Sequence, residues 1–522
     1  MAATSIAAGP VSTHRARTAA PLDRSGLLLL AIAFLALELM VIRQYGWFRD
    51  EFYYLVCADH PAAGYVDQPQ LSIWILAVWK QLFGESLVAI RVVPALIGAL
   101  CVFLAGEFAH ALGGDRWAQR LAATATLVTP IYLGTHHVYS MNTFDVLLWL
   151  LGMRAVLAAT RDASRWPLVG VVLGLGLLNK ISVLWLGTGL VAGLIVWPGR
   201  RVLLTRGPWI ALAIAAVLTL PHLVWQVQNG WPTLEFIRNA TGHKMKAVPW
   251  ANFVIEQVFL MGPATAPLWL LGIGWSLASR QGRRAMPLAV ALLVVGLMLM
   301  IGGKSRGSYL SPAYPPMLAA GSVALMTWLR KRGALVKAIP LAIVVLGTLP
   351  LVPFVLPVLP VERYLAYARA AGMQPGTSER KAVGPLPQHY ADMHGWQELT
   401  DIVARGWQSL TPEERRHAAV FGQNYGEAGA VTVLGRKLGL PEAHSGHNNF
   451  WLWGPHPNVD GSVFIVIGGD EADNRQVLEE LTPVDTLRAP LAMPYERGTV
   501  VWIGRKLKLP FRELWPRLKH YD

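Results

Sequence analysis

Charge is scarce in this chain. Only 15% of its 522 residues are Asp, Glu, Lys or Arg, against roughly 25% in a soluble domain. Hydrophobic residues make up 53%, and the mean hydropathy is +0.39. This balance excludes a soluble globule and defines a polytopic membrane protein. Cysteine is scarcer still, with Cys57 and Cys101 alone. That excludes a disulfide scaffold and a multi-cysteine metal site, and the two fall in different segments, so no bridge between them is expected. No nucleotide-binding motif is found. No internal repeat is visible, which disfavours a secondary transporter, the main alternative class for such a chain. The net charge of +14 does not mark a nucleic-acid partner, because Arg and Lys cluster in short loops between apolar runs.

A membrane span needs about 20 apolar residues. Runs near 26–42, 88–111, 119–134, 142–160, 166–179, 182–197, 208–226, 263–279, 286–302, 309–329 and 336–357 predict eleven spans, within an architecture of about 11–13. The pair 166–179 and 182–197 flanks Asn179-Lys180. One long tilted helix is the simpler reading there, but charge parity favours two. The run 26–42 has no small-residue cleavage site after it and reads as a retained helix. Arg15, Arg17, Arg24, Arg116, Arg120, Arg154, Arg161, Arg165, Arg200, Arg201 and Arg206 all fall in alternate loops. The positive-inside rule then puts the N-terminus in the cytoplasm. The opposite, outer face receives Asp50-Glu51, Asp67, His136-His137, Lys180, the loop 227–262, Lys304 and Arg306. Leu71–Phe83 is apolar but too short to span and reads as an interfacial helix in contact with membrane lipid.

The expected organisation is a cytoplasmic tail at 1–25, a transmembrane domain at 26–360 with its first outer loop at 43–87, and an outer domain at 361–522. From about Glu362 the composition turns polar. Short apolar stretches at Ala418–Phe421, Ser462–Ile467 and Thr499–Gly504 read as strands, and Glu427–Leu438 and Asp473–Leu481 as helices. A small α/β domain follows.

The chemistry-bearing residues gather on the outer side. Asp50 and Glu51 follow the first span by a few residues. They suit a general base with an orienting or cation-holding neighbour, and equally the first turn of a helix, where acids favour the dipole. Asp67, in Gly64-Tyr65-Val66-Asp67-Gln68-Pro69, is a second acid of the same loop, in a stretch that also reads as an ordinary turn. His136-His137 precede Asn142 and Asp145. Adjacent histidines make poor joint ligands, but one of them could join a carboxylate on a divalent cation, with Asp50 and His137 the pair to consider. Asp145 lies inside a span and requires a partner. Lys304, Arg306 and Tyr309 open the tenth run, and Lys180 sits at a helix break. Such cations suit a phosphate, or else snorkel to the interface. Phe421–Gly429 has a strand–glycine–helix pattern that tight strand–helix packing explains.

Phe48–Pro69, Tyr139–Asp145, Gly174–Ser182 and Lys304–Pro316 resemble the bacterial family 39 and aminoarabinose-transferase-like glycosyltransferases. These are membrane enzymes of the GT-C class related to the protein O-mannosyltransferases. The resemblance continues at Pro387–Trp396, Asn424–Ala428 and Ser445–Asn449. It implies transfer of one sugar from a polyprenyl-phosphate donor to an envelope glycan, lipid or protein acceptor at the outer face of a bacterial inner membrane. It implies Asp50 as the base, with Glu51 and Asp67 beside it. Tyr53, Tyr65, Gln68, His136, His137, Asn142 and Asp145 are expected around the substrates. The aminoarabinose transferases carry a Lys where this chain has Gln68, so Lys304, Arg306, Lys180 and Tyr309 are left to hold the donor phosphate.

Overall fold

The computed structural model describes residues 20–457 and 459–522. The expected tail, with Arg15 and Arg17, lies almost wholly outside them. The membrane part is helical. It begins with α1 (Arg24–Val41), α2 (Arg49–Asp59), α3 (Leu71–Phe83), α4 (Leu87–Ala111), α5 (Arg116–Val128), α6 (Pro130–His137) and α7 (Met141–Ala159).

Among the described residues, five helices are long and apolar enough to cross a membrane: α1, α4, α7, Arg206–Gln228 and Ala334–Phe354. A sixth forms if Trp250–Met261 and Ala266–Ala278, bent by 110°, count as one span. The other apolar runs are shorter or broken. Run 119–134 divides at Thr129-Pro130 into α5 and α6, where the proline fixes its own backbone angle and has no N–H to donate. Run 309–329 opens as a 3-10 turn, Gly307–Ala313, before helix Pro315–Trp328. Residues 166–197 form two helices, Trp166–Leu177 and Val183–Val196, with Lys180 in the break. The long-helix alternative is thereby excluded. Cys57 and Cys101 are buried free thiols.

The C-terminal part holds a four-stranded sheet in the order β1-β2-β4-β3: β1 (Ala419–Gly422), β2 (Val463–Ile467), β3 (Leu478–Thr486) and β4 (Val500–Leu507). β1 and β2 run parallel, and the other pairs run antiparallel. β3 corrects the expected helix over Asp473–Leu481. Helix Glu471–Val477 stops where Leu478 enters the sheet. Glu479 and Glu480 are good helix formers, but pairing to β4 overrides that local preference. Pro483, on the edge strand, lies at an irregularity in the pairing, a position where proline is tolerated.

The two parts share a core. Phe52, Tyr53, Leu55 and Val56 of α2 cluster with Val420, Ala428, Val431 and Ile465 of the C-terminal part. The glycines of the Phe421–Gly429 stretch serve this docking. A Cβ on Gly426 would lie 2.5 Å from Arg49 Cγ, and one on Gly429 would lie 3.0 Å from Phe52 Cβ. Helix Tyr425–Gly435 can therefore press directly onto the helix that carries Asp50.

Candidate active site

The acidic pair is split by its own helix. Phe48 is the N-cap of α2, and Glu51 is the third helical residue. Glu51 accepts the Phe48 N–H at 2.9 Å, so for this residue the helix-start reading holds. Its other contacts are Arg91 Nε at 2.9 Å, Arg91 Nη2 at 2.8 Å and the Tyr139 N–H at 3.1 Å. The Glu51 and Arg91 side chains are both wholly buried. With four donors around its two oxygens, Glu51 is a structural anion, contrary to the expectation of a reacting group. Asp50, one residue earlier, turns the other way. Its side chain remains 35% exposed, enough to meet a substrate. It accepts the Tyr425 hydroxyl at 2.8 Å.

Asp67 comes to the same place. Its carboxylate accepts the Tyr53 hydroxyl at 2.8 Å, and the Tyr53 and Tyr425 rings lie 5.1 Å apart. Two carboxylates are thus each held by one member of a tyrosine pair. Asn449 completes the arrangement: its Oδ1 accepts the Tyr53 hydroxyl at 3.1 Å and the Val66 N–H at 2.7 Å. Burial pushes the Asp67 carboxyl up to about 6, the Tyr53 hydrogen bond opposes this, and the Asp50 charge adds to the rise. Arg49 lies 3.5 Å from Asp50 and 3.7 Å from Asp392, and donates to the Tyr495 hydroxyl at 2.6 Å. Burial likewise raises Asp392 to about 6, against the pull of Arg49.

A cavity of about 500 Å³ opens beside this cluster, lined by Asp50, His137, Asn142, Asp145, Lys180, Arg306 and Tyr309 among others. Lys180 Nζ donates to Asn142 Oδ1 at 2.7 Å, lies 3.4 Å from Asp145, and sits over the Tyr309 ring at 5.1 Å. Asp145 therefore has the partner its depth demands, and it also accepts the Ser182 hydroxyl at 2.7 Å. Arg306 pairs with Glu379 at 3.0 Å, while its Nε has no protein partner. Burial pushes Glu379 up, but Lys244, Arg49 and Arg306 more than offset it and hold the carboxyl below its usual range.

Several expected residues stand elsewhere. Lys304 is not among the cavity residues; its ammonium donates to the Thr241 carbonyl at 2.7 Å. Tyr65 staples its own loop through the Cys57 and His60 carbonyls. His136 is buried against Thr143 and Phe34. His137 borders the cavity, but its ring nitrogens face Glu38 at 3.1 Å and Arg91 at 3.4 Å. With both engaged, it is a poor partner for Asp50 on a cation. Gln68 is buried with neither end of its amide bonded to protein. Sequence reasoning missed Glu38 and Arg91, although charges inside apolar runs are a signal in themselves. Asn449 enters only with the resemblance, and Tyr425 otherwise only within a stretch that packing explains, since nothing local ties either to a loop hundreds of residues away.

Fold and cavity define a polytopic helical membrane protein with a small C-terminal α/β domain. Among solved structures, ArnT from Cupriavidus metallidurans bound to undecaprenyl phosphate matches with a TM-score of 0.58 at 14% identity, over 92% of this chain and 98% of that one. Residues 67–225 match the family described as dolichyl-phosphate-mannose-protein mannosyltransferase. The chain is 25% identical over 345 residues to undecaprenyl phosphate-alpha-4-amino-4-deoxy-L-arabinose arabinosyl transferase 2 of Pseudomonas fluorescens, covering 60% of this chain and 58% of that protein. It is 25% identical over 218 residues to lipid A galacturonosyltransferase RgtD of Rhizobium johnstonii, covering 41% and 45%. The chain spans about three fifths of the length of the first curated relatives it matches. The resemblance read from the sequence is borne out.

Proposed function

We propose that this protein transfers one sugar from a polyprenyl-phosphate donor to a cell-envelope acceptor, with Asp50 as general base. The reading rests chiefly on a single cavity that brings Asp50 together with Lys180, Arg306 and Tyr309. In the proposed step the acceptor oxygen attacks the anomeric carbon as the bond from that carbon to the phosphate oxygen breaks. The acceptor proton passes to Asp50, and the electron pair leaves with the polyprenyl phosphate. A base within hydrogen-bond reach and fixed positive charge at the leaving group are what such a step needs. Lys180 and Arg306 supply the charge, because Gln68 cannot. Glu51 acts as a positioning residue through α2, and Tyr425 and Asn449 orient the two acids from the C-terminal domain. The arginine-rich loops favour an N-terminus in the cytoplasm of a bacterial inner membrane, which puts the cavity and the domain at 361–522 on the outer side.

Labelled donor added to membranes containing the protein is expected to pass its sugar to an endogenous envelope acceptor. Membranes that transfer no label with any polyprenyl-phosphate sugar would refute the reading. Donor binding separates the cations. Losing a hydrogen bond to a charged group costs roughly 1.5–3 kcal/mol, so Arg306→Ala should weaken undecaprenyl-phosphate binding about tenfold or more. Lys304→Ala should bind as wild type does. Calorimetry in detergent decides, and equal affinity in Arg306→Ala and wild type would take Arg306 out of the phosphate site.

Acidity offers another check. Asp67 titrates near 6, so transfer should fall as pH drops through about 6 and this carboxylate takes up a proton. The raised value also means that ionised Asp67 costs the fold stability: its contribution is most favourable below the ordinary carboxylate range and is lost as pH rises through about 6. Tyr53→Phe removes the hydrogen bond that opposes the rise. Its pH–rate profile should therefore show the acid limb displaced to higher pH. An unmoved limb would assign the titration to another group.

A further inference from the structure

The end of the described chain returns toward the active site. His447 and His520 pair across an isolated parallel bridge. The Asn448 N–H donates to the His520 carbonyl at 3.0 Å, and the His520 N–H donates to the Gly446 carbonyl at 2.9 Å. The two imidazole centroids are 4.4 Å apart. The Asp522 carboxylate lies 3.2 Å from His447 Nε2. One ligand-capable atom from each of His447, His520 and Asp522 lies within 4.8 Å of the other two, the one such group of three His, Cys, Asp or Glu residues among the described residues.

We propose that His447, His520 and Asp522 form a binding site for a transition-metal ion of the zinc class. Two imidazoles and one carboxylate are a borderline donor set. They suit zinc or cobalt better than calcium or magnesium, which take oxygen ligands. The His520 Nδ1 lies 3.0 Å from the Leu518 carbonyl. Donation there leaves Nε2 unprotonated, the usual orientation of a metal-bound imidazole. His447 is buried, while His520 and Asp522 are partly exposed, so three protein ligands would leave a position open to water.

Two contacts compete with the metal. His447 Nε2 also meets the Asp522 backbone carbonyl at 2.9 Å, and the Tyr425 N–H approaches His447 Nδ1 at 3.4 Å. Metal binding would exchange the first and turn the weak second contact aside. The ion would lie outside the cavity and act on structure. The His447 ring packs edge-on to Tyr425 at 4.9 Å, and Tyr425 holds Asp50. The adjoining chain is tied to helix Pro232–Asn239 by Asn239 Nδ2 to the Tyr521 carbonyl at 2.8 Å and by Lys519 to Glu235 at 2.7 Å. One ion would therefore join the loop before helix Asn448–Trp453 to the end of the described chain, which is itself tied to the long loop 227–262.

The test uses the full-length protein in detergent, purified through a tag that binds no metal, stripped with chelator and titrated with Co²⁺. Saturable binding of about one equivalent is expected, with visible absorption of a low-coordinate nitrogen–oxygen site, displaced by Zn²⁺. His520→Ala and Asp522→Asn, at partly exposed positions, should each weaken Co²⁺ binding at least about tenfold while the elution profile stays that of wild type. A wild-type protein that shows no saturable Co²⁺ binding would overturn the site. So would undiminished binding in both variants.

Discussion

Asp50→Asn is expected to lower sugar transfer by about 10²–10⁴-fold, the usual contribution of a positioned general base, while the protein still inserts and binds donor. The amide keeps the shape and can still accept the Tyr425 hydroxyl, which in the wild type reaches Asp50 at 2.8 Å. What it loses is the capacity to take the acceptor proton. Because the donor phosphate is assigned to Lys180 and Arg306, affinity for undecaprenyl phosphate should change little. Measured together, transfer of labelled sugar and calorimetric donor affinity separate the base from a binding group. Full transfer by Asp50→Asn would remove Asp50 from catalysis. Loss of transfer with an equal loss of donor binding would move it to the donor site. Tyr425→Phe should behave as a milder version, because it leaves the base in place but frees its orientation.

The acidic pair shows how far residue pattern reached into this site. An acidic doublet after an apolar run could serve as base or as helix start; Glu51 takes the second part, and Asp50 is left free for the proposed first. Glu51 fills the helix-start position, and Asp50 faces the cavity. Helical geometry separates neighbours by about 100°, so a doublet at a helix start points to two environments. Lys180 was legible for a similar reason, since a cation between two apolar runs marks a break. Lys304 was misplaced because sequence records that a cation is near the right loop and not which way its side chain turns. Asn449 was legible only through the resemblance, and Tyr425 otherwise only as part of a tightly packed strand–glycine–helix stretch. Their contact with α2 depends on Gly426 and Gly429 allowing close approach, which no local pattern announces. β3 was missed because its glutamates favour a helix and only β4 makes it a strand.

Arg91 should be the most damaging position outside the cavity. Its guanidinium donates to both oxygens of Glu51 and to the Ile42 and Gly46 carbonyls at 3.1 and 2.7 Å. It therefore clamps the end of α1 and the turn that leads into α2. Neither Arg91 nor Glu51 has exposed side-chain surface. Arg91→Met would leave Glu51 as a buried anion with only two backbone N–H donors. Breaking one side of a buried ion pair costs about 3–5 kcal/mol, a large share of the stability of a typical fold. Arg91→Met should therefore show sharply reduced yield and a much lower thermal transition in detergent. Glu51→Gln/Arg91→Met should recover part of the loss, because the uncompensated charge is gone. The double variant should still be a poor transferase, since Asp50 sits on the helix that this clamp positions. If Arg91→Met melts within a degree or two of wild type, the clamp is dispensable and α2 is held by its packing on the C-terminal domain alone. If the double variant is no more stable than Arg91→Met, the loss comes from the freed Ile42 and Gly46 carbonyls rather than from the stranded carboxylate.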